Sequence, residues 1–257
     1  MATVLVTGST DGIGRRTASD LAALGHRVVL HARSEERAAH AVGAVPKAAA
    51  VVIGDLASMA ETRELAAAAD ASGPFDAVVH NAGVGGRGEE RTRTADGLDL
   101  IFQVNVVAPY LLTALMTRPS RLVYLTSGLE AEGRVDFADL QHERGRFDGL
   151  QAYSDSKLCD VVLAFAIARL WPRVRSNAVD PGWIRTRMGG PAAPGGLAEG
   201  ADTQVWLATS DEAAAGVTGR YFKGRRERRA NDAAYESDVQ EGLLAACAGL
   251  TGVVLPR

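Results

Sequence analysis

The chain has 257 residues, 47% of them hydrophobic, which is enough for one large buried core, and no break in composition divides it into two domains. A net charge of −3 and a pI near 6.0 supply no basic field for nucleic acid and no polybasic patch for a membrane surface. Cys159 and Cys247 lack Cys-x-x-Cys spacing and the five histidines lack ligand spacing, so no disulfide framework and no metal site are expected, and the partner is a small molecule.

In chain order, Met1-Ala2 leads without a charged leader into an apolar strand predicted over Thr3 to Thr7. No apolar stretch is long enough to span a bilayer, so a cytoplasmic protein is expected. Gly8-x-x-x-Gly12-x-Gly14 follows directly and opens a helix predicted over Ile13 to Leu24, closed by Gly25. Between a strand and a helix, such glycines let the backbone turn tightly and approach a pyrophosphate, which meets the free N–H groups of the helix start. The next strand, Arg27 to His31, ends in His31-Ala32-Arg33. In a dinucleotide-binding sheet a carboxylate at this place accepts from the ribose 2′-hydroxyl and selects NAD. None stands here, and the Arg33 guanidinium offers a planar fork to a 2′-phosphate, so NADP(H) is favoured over NAD(H); the alternative is an ordinary exposed arginine.

A helix over Ser34 to Val42 and a strand over Ala49 to Ile53 come next. Asp55, in Gly54-Asp55-Leu56, is placed to meet the adenine amino group, to cap the following helix (Met59 to Ala71), or both. The fourth strand, Asp76 to His80, runs into Asn81-Ala82-Gly83. Further on are a helix over Ala95 to Thr117, a strand over Arg121 to Ser127, a helix over Ala152 to Leu170 stopped by Pro172, a strand over Arg175 to Val179, a helix over Gly200 to Thr209 and a short strand near Tyr221. On the helix beginning at Ala152, Tyr153 and Lys157 lie four apart on one face. A phenol ionises only near pH 10 on its own, and an ammonium one turn away favours its phenolate.

This alternation predicts an α/β fold: a single-domain Rossmann-type doubly wound parallel sheet of about seven strands with helices on both faces, filling 1–257. Three segments fall outside it: Gly85 to Thr94, a 128–151 insertion, and a Gly/Pro-rich stretch inside a candidate lid over 186–200. All three follow strand ends, so they are expected to rim the substrate pocket, with Phe137, Trp183 and Met188 as apolar candidates. The run Lys223, Arg225, Arg226, Arg228, Arg229, broken by Glu227, reads as a solvated loop rather than a site for an anionic partner. Lysine occurs only at 47, 157 and 223, and together with heavy alanine use this suggests a GC-rich bacterial genome.

The glycine motif, Asn81-Ala82-Gly83, Asn105, Ser127, Tyr153 with Lys157, and Pro181-Gly182 followed by Thr186 stand in the order of the short-chain dehydrogenase/reductase family, which the chain resembles over nearly its whole length. Asp55-Leu56-Ala57-Ser58, Thr94 to Leu98 and Gly219-Arg220-Tyr221-Phe222 resemble its retinol-dehydrogenase-like branch. His80 and Ala108 depart mildly from the pattern, and 25 residues separate Ser127 from Tyr153, next to the helix that commonly forms the family's dimer interface.

The resemblance implies hydride transfer between NADP(H) and a carbonyl or secondary alcohol. Tyr153 would be the acid or base and Lys157 would assist it and bond the nicotinamide ribose. Ser127 would donate to the substrate oxygen and Asn105 would hold a water. The implied cofactor contacts are Gly8, Ser9, Thr10, Gly12, Ile13, Gly14, Arg33, Asp55, Leu56, Asn81, Ala82, Gly83, Tyr153, Lys157, Pro181, Gly182, Ile184 and Thr186. A homodimer, a homotetramer and a monomer stay open. The alternatives are an NAD-dependent alcohol dehydrogenase and a catalytically silent NADP-sensing regulator; a sugar epimerase needs a longer C-terminal domain, and the tetrad Asn105, Ser127, Tyr153 and Lys157 is intact.

Overall fold

Short apolar runs buried on both faces make the strands of a parallel sheet, because helices cover both sides and no face is left for water. The computed structural model describes residues 1–85, 88 and 90–257; of the predicted rim segment Gly85 to Thr94, residues 86, 87 and 89 lie outside the described residues. In chain order the elements are β1 (Thr3–Val6), α1 (Gly12–Ala23), β2 (Arg27–Ala32), α2 (Glu35–Ala44), β3 (Ala50–Ile53), α3 (Met59–Ser72) and β4 (Ala77–His80). Then follow α4 (Leu100–Phe102), a π-helical turn (Gln103–Val107), α5 (Ala108–Leu115), β5 (Arg121–Leu125) and α6 (Gly149–Leu170). The chain continues through β6 (Arg175–Asp180), α7 (Leu197–Thr209), β7 (Tyr221–Lys223), β8 (Arg226–Arg228) and α8 (Ser237–Thr251).

Among the described residues the sheet has eight strands in the order β3-β2-β1-β4-β5-β6-β7-β8, parallel except for the final β7–β8 pair. Alternate residues feed two cores. Leu5, Val29, Val78, Leu122 and Tyr124 face α3, α5, α6 and α8, whereas Val4, Val28, Leu30, Val79 and Val123 face α1 and α7. The chain reverses direction across the sheet between β1 and β4, and the crevice beyond the carboxyl ends of those strands is where such sheets bind ligands.

Several expectations need correction. The helix expected from Ala95 begins only at Leu100, because Gly97 adopts φ +80° and Asp99 caps the new helix by accepting from Phe102 N–H. It is also not one regular helix: five residues around Asn105 form a π turn. β5 stops at Leu125, and Ser127 instead caps a 3₁₀ turn over Gly128–Glu132. α6 starts at Gly149, since the Asp148 side chain accepts from Leu150 and Gln151, and α7 starts at Leu197. The arginine-rich run, expected as a loop, forms the β7–β8 hairpin, although its side chains from Lys223 to Arg229 are exposed. α8, which packs against α6, is not among the predicted helices.

Candidate active site

The glycine turn leaves β1 and is braced from three sides. Thr7 Oγ1 accepts from the N–H groups of Asn81 and Ala82 at 2.9 and 3.0 Å, and Asn81 Nδ2 donates to Thr7 O at 2.9 Å. Gly8 (φ +62°) approaches Ala82 so closely that a Cβ would lie 2.9 Å from its Cα, and one on Gly14 would lie 2.3 Å from both Asn81 Nδ2 and Gly8 O. The third brace is His31, buried at the end of β2: its Nδ1 accepts from Gly8 N–H at 2.9 Å, leaving Nε2 to donate to Gly54 O at 2.9 Å. Burial holds its pKa below the usual histidine value and the ring neutral, as this pattern requires.

The expected cofactor residues divide into two groups. Ser9 is fully buried, and its Oγ accepts from His31 N–H at 2.8 Å, so its hydroxyl shapes the turn. Asn81 does the same. Ile184 is buried, with its side chain against Gly195 and Gly200, and Leu56 is buried as well. Asp55 does not cap α3; Ser58 does, and the Asp55 carboxylate accepts from Ala57 N–H. Gly12, Ile13 and Gly14 open α1, and Thr186 lies across from Gly12, where a Cβ would sit 3.4 Å from the threonine methyl. Pro181 and Gly182 leave β6 in a turn set by Asp180 Oδ1, which accepts from Gly182 N–H at 2.8 Å; the same buried carboxylate pairs with Lys223.

Arg33 is exposed at the end of β2. A second guanidinium was missed in the sequence: Arg37, in the first turn of α2, donates through Nη2 to Thr10 Oγ1 of the glycine turn at 3.0 Å, while its Nε is buried with no partner among the described residues. Its place in the first turn of the helix that follows β2, four residues after Arg33, is the signal that could have found it. The two guanidinium groups, the N-terminus of α1 and the glycine-rich turn before it form a donor set that fits a phosphorylated dinucleotide.

At the other end of the crevice, α6 carries Tyr153 half-buried and Lys157 fully buried. Lys157 Nζ lies 5.6 Å from the Tyr153 ring centroid. It donates to Leu125 O at 2.9 Å and to Asp160 Oδ2 at 2.7 Å, so one of its three N–H groups remains for another acceptor. Burial favours the neutral amine, but the Asp160 carboxylate and the coupling to Tyr153 outweigh it and raise the lysine pKa. Thr126 Oγ1 donates to Lys157 O at 2.6 Å and so ties the β5 end to this helix one residue before Ser127. Ser127 Oγ accepts from Leu129 N–H at 3.3 Å and keeps its own proton to give.

Gly83 and Gly85 pass close to these groups. A Cβ on Gly83 would lie 3.4 Å from both Lys157 Nζ and Asn105 Oδ1, and one on Gly85 would touch the Tyr153 ring at 3.1 Å and Met188 Sδ at 3.6 Å. Asn105, inside the π turn, uses its side chain to hold this strand end: Oδ1 accepts from Val84 N–H, and Nδ2 donates to Val84 O and to Ser156 Oγ. Both amide protons are therefore taken, which leaves little of the side chain for a water.

The insertion is not wholly a pocket rim. Arg134, Asp139 and His142 line a cavity of about 200 Å³ with Gln151, Asp155 and Cys159, which at helical spacing lie on the face of α6 opposite Tyr153 and Lys157. Phe137 packs against Gly242 of α8 rather than on the rim. Trp183 and Met188 are exposed, and the Trp183 Nε1 donates to Gly189 O. Among the described residues no helix is long and apolar enough to cross a membrane, and no group of three or more His, Cys, Asp or Glu side chains is arranged to hold a metal.

Residues 2–195 match the short chain dehydrogenase family. An uncharacterized oxidoreductase of Emericella nidulans is 40% identical over 260 residues, covering 100% of this chain and 99% of that protein. A Streptomyces protein with the provisional name daunorubicin C-13 ketoreductase is 37% identical over 87% of this chain and 83% of its own length. Mouse retinol dehydrogenase 14 is 31% identical over 94% of this chain and 83% of that one. Among solved structures, an uncharacterized protein from Mycobacterium paratuberculosis shares the fold, with a TM-score of 0.85 at 24% identity over 100% of this chain and 96% of that one. A blue fluorescent protein from a metagenomic library, solved in complex with NADPH, has a TM-score of 0.70 at 25% identity over 86% and 95% of the two chains. Agreement of this extent in both sequence and fold means that the chain belongs to the short-chain dehydrogenase family, oxidoreductases that work with a nicotinamide dinucleotide.

Proposed function

We propose that the protein is an NADPH-dependent reductase of ketones on bulky, apolar molecules, acting in the cytoplasm. The observation that carries this reading is the Tyr153–Lys157 pair: a half-exposed phenol coupled to a buried ammonium at the carboxyl end of the sheet. Arg33 and Arg37 would hold the 2′-phosphate, the glycine turn and α1 start the pyrophosphate, and the free N–H of Lys157 the nicotinamide ribose. NADPH, when bound, supplies the hydride. Tyr153 gives its proton to the carbonyl oxygen, so that the C=O becomes C–H and O–H, and Ser127 donates to the same oxygen as charge develops there. The proton is replaced from water, held by a main-chain carbonyl that the π turn around Asn105 takes out of the regular helical ladder. Met188 and Trp183, both exposed on the loop after β6, give the mouth an apolar edge. The segment over 186–200, a loop that runs into the first turn of α7, acts as its lid.

The 37% identical relative with the provisional name daunorubicin C-13 ketoreductase supports this substrate class. The test is NADPH oxidation across ketones, aldehydes and quinones, including bulky alicyclic and polyketide-like ones. Turnover of such a ketone is the expected outcome; stoichiometric NADPH binding without turnover of any carbonyl would make the protein a sensor instead. Tyr153→Phe is expected to bind NADPH normally while kcat falls about 10²- to 10⁴-fold, the usual worth of a positioned proton donor.

A further inference from the structure

A carboxylate sits directly behind the reactive pair. Asp160, one turn further along α6 than Lys157, is buried to 3% exposure and places Oδ2 2.7 Å from Lys157 Nζ, which is equally enclosed. Among the described residues the only other group that Nζ bonds is the Leu125 carbonyl, which is neutral. We propose that Asp160 is a positioning residue that keeps the Tyr153–Lys157 pair in its fully protonated form, the form able to give a proton to a carbonyl oxygen. The inference rests on the reductase reading for its consequence, but its physical content concerns the pair alone.

The argument is electrostatic and does not depend on which partner loses the proton. Lys157 Nζ lies 5.6 Å from the Tyr153 ring centroid, so the charge on one bears on proton loss from the other. A negative charge in a site shielded from water makes that loss harder, whether the product is a phenolate or a neutral amine. Lys157 alone would favour the phenolate and hence alcohol oxidation; Asp160 offsets part of that effect and inclines the site towards reduction. The carboxylate and the Leu125 carbonyl together fix the direction of two lysine N–H groups, leaving the third to point elsewhere.

Other titratable groups around it do not replace it. Tyr124 of β5 faces Asp160, and its phenol is pushed far up by burial; Cys159 and Cys247 are buried thiols raised well above their usual range. His80, behind Tyr124, is neutral. Asp180 and Glu130 act on Tyr221, not on the pair. Burial raises the Asp160 carboxyl to about 6, so near neutral pH and above it carries the charge that the role requires.

The test uses Asp160→Asn and Asp160→Ser in the full chain, two changes that share only the loss of charge. Ultraviolet difference titration of tyrosine ionisation, each protein against its own Tyr153→Phe counterpart, reads proton loss from the pair without any substrate. In both variants the midpoint is expected about one pH unit or more below that of the wild type. The alkaline limb of kcat/KM for ketone reduction is expected to move by the same amount. A purely structural role lowers thermal stability and rates but leaves both midpoints in place, and that outcome overturns the proposal. Absence of turnover in the wild type would remove the reductase reading while the titration still decides the role of Asp160.

Discussion

Single side chains carry the proposed cofactor preference and the acid limit of this protein. Arg33 and the alanine before it stand where a carboxylate would select NAD. Ala32→Asp with Arg33→Val removes one guanidinium and adds a repulsive charge, so the ratio of kcat/KM for NADPH over NADH is expected to fall by about 10²-fold or more, a change of roughly 3 kcal/mol. An unchanged ratio would place the 2′ site elsewhere. His80 is fully enclosed against Tyr124, with Nε2 on Thr113 Oγ1 at 3.1 Å and Nδ1 without a partner. Burial depresses its pKa from 6.5 to about 3, so the folded protein holds a neutral ring where the unfolded chain takes up a proton. The stability this contributes is complete above about pH 6.5 and is lost as pH falls, by about 1.4 kcal/mol per pH unit. The stability difference between wild type and His80→Asn should therefore change by about that amount between pH 6 and pH 5, measured by urea unfolding. Parallel pH dependences in the two proteins would refute it.

Elements are joined by contacts across long stretches of chain, and the insertion is the plainest case. Asn231, after β8, donates its side-chain amide to the carbonyls of Glu130, Ala131 and Gly133, and its own N–H goes to the buried Glu130 carboxylate. His142 pairs with Asp155 of α6 at 3.2 Å, and that partner raises the imidazole pKa above 6.5. A raised histidine contributes stability that is present below about pH 6.5 and lost as pH rises through the folded value. His142→Gln should cost about 0.5–1 kcal/mol at pH 6 and little at pH 8.5, read from thermal melts at both pH values. An equal cost at the two would mean that packing against Phe147, not charge, holds the segment. Gly242 explains why α8 was not legible: its missing side chain breaks the apolar pattern, and only the Phe137 ring lying on it gives the reason.

At the scale of the whole molecule, α6, the helix expected to pair two copies, is covered. From Ser156 to Ala168 every residue of α6 is buried, as is α5 from Ala108 to Ala114, and α8 with the Asp232–Tyr235 turn closes the outer side of α6. A helix buried all round has no face left for a partner. Light scattering is expected to give a monomer of 26.9 kDa, and a stable dimer would mean that another surface associates. The sequence by itself determined the alternating fold, the glycine turn and the Tyr153–Lys157 pair, because these depend on local period, turn chemistry and spacing within one element. Only the tertiary structure decided that Asp160 backs Lys157 in a buried site, that His31 braces the glycine turn across 23 residues, that Arg37 reaches Thr10 of that turn, and that the insertion lies largely on the far side of α6. Those facts depend on which surfaces the fold buries against one another, and charges and hydrogen bonds take their strength from that burial rather than from the order of residues along the chain.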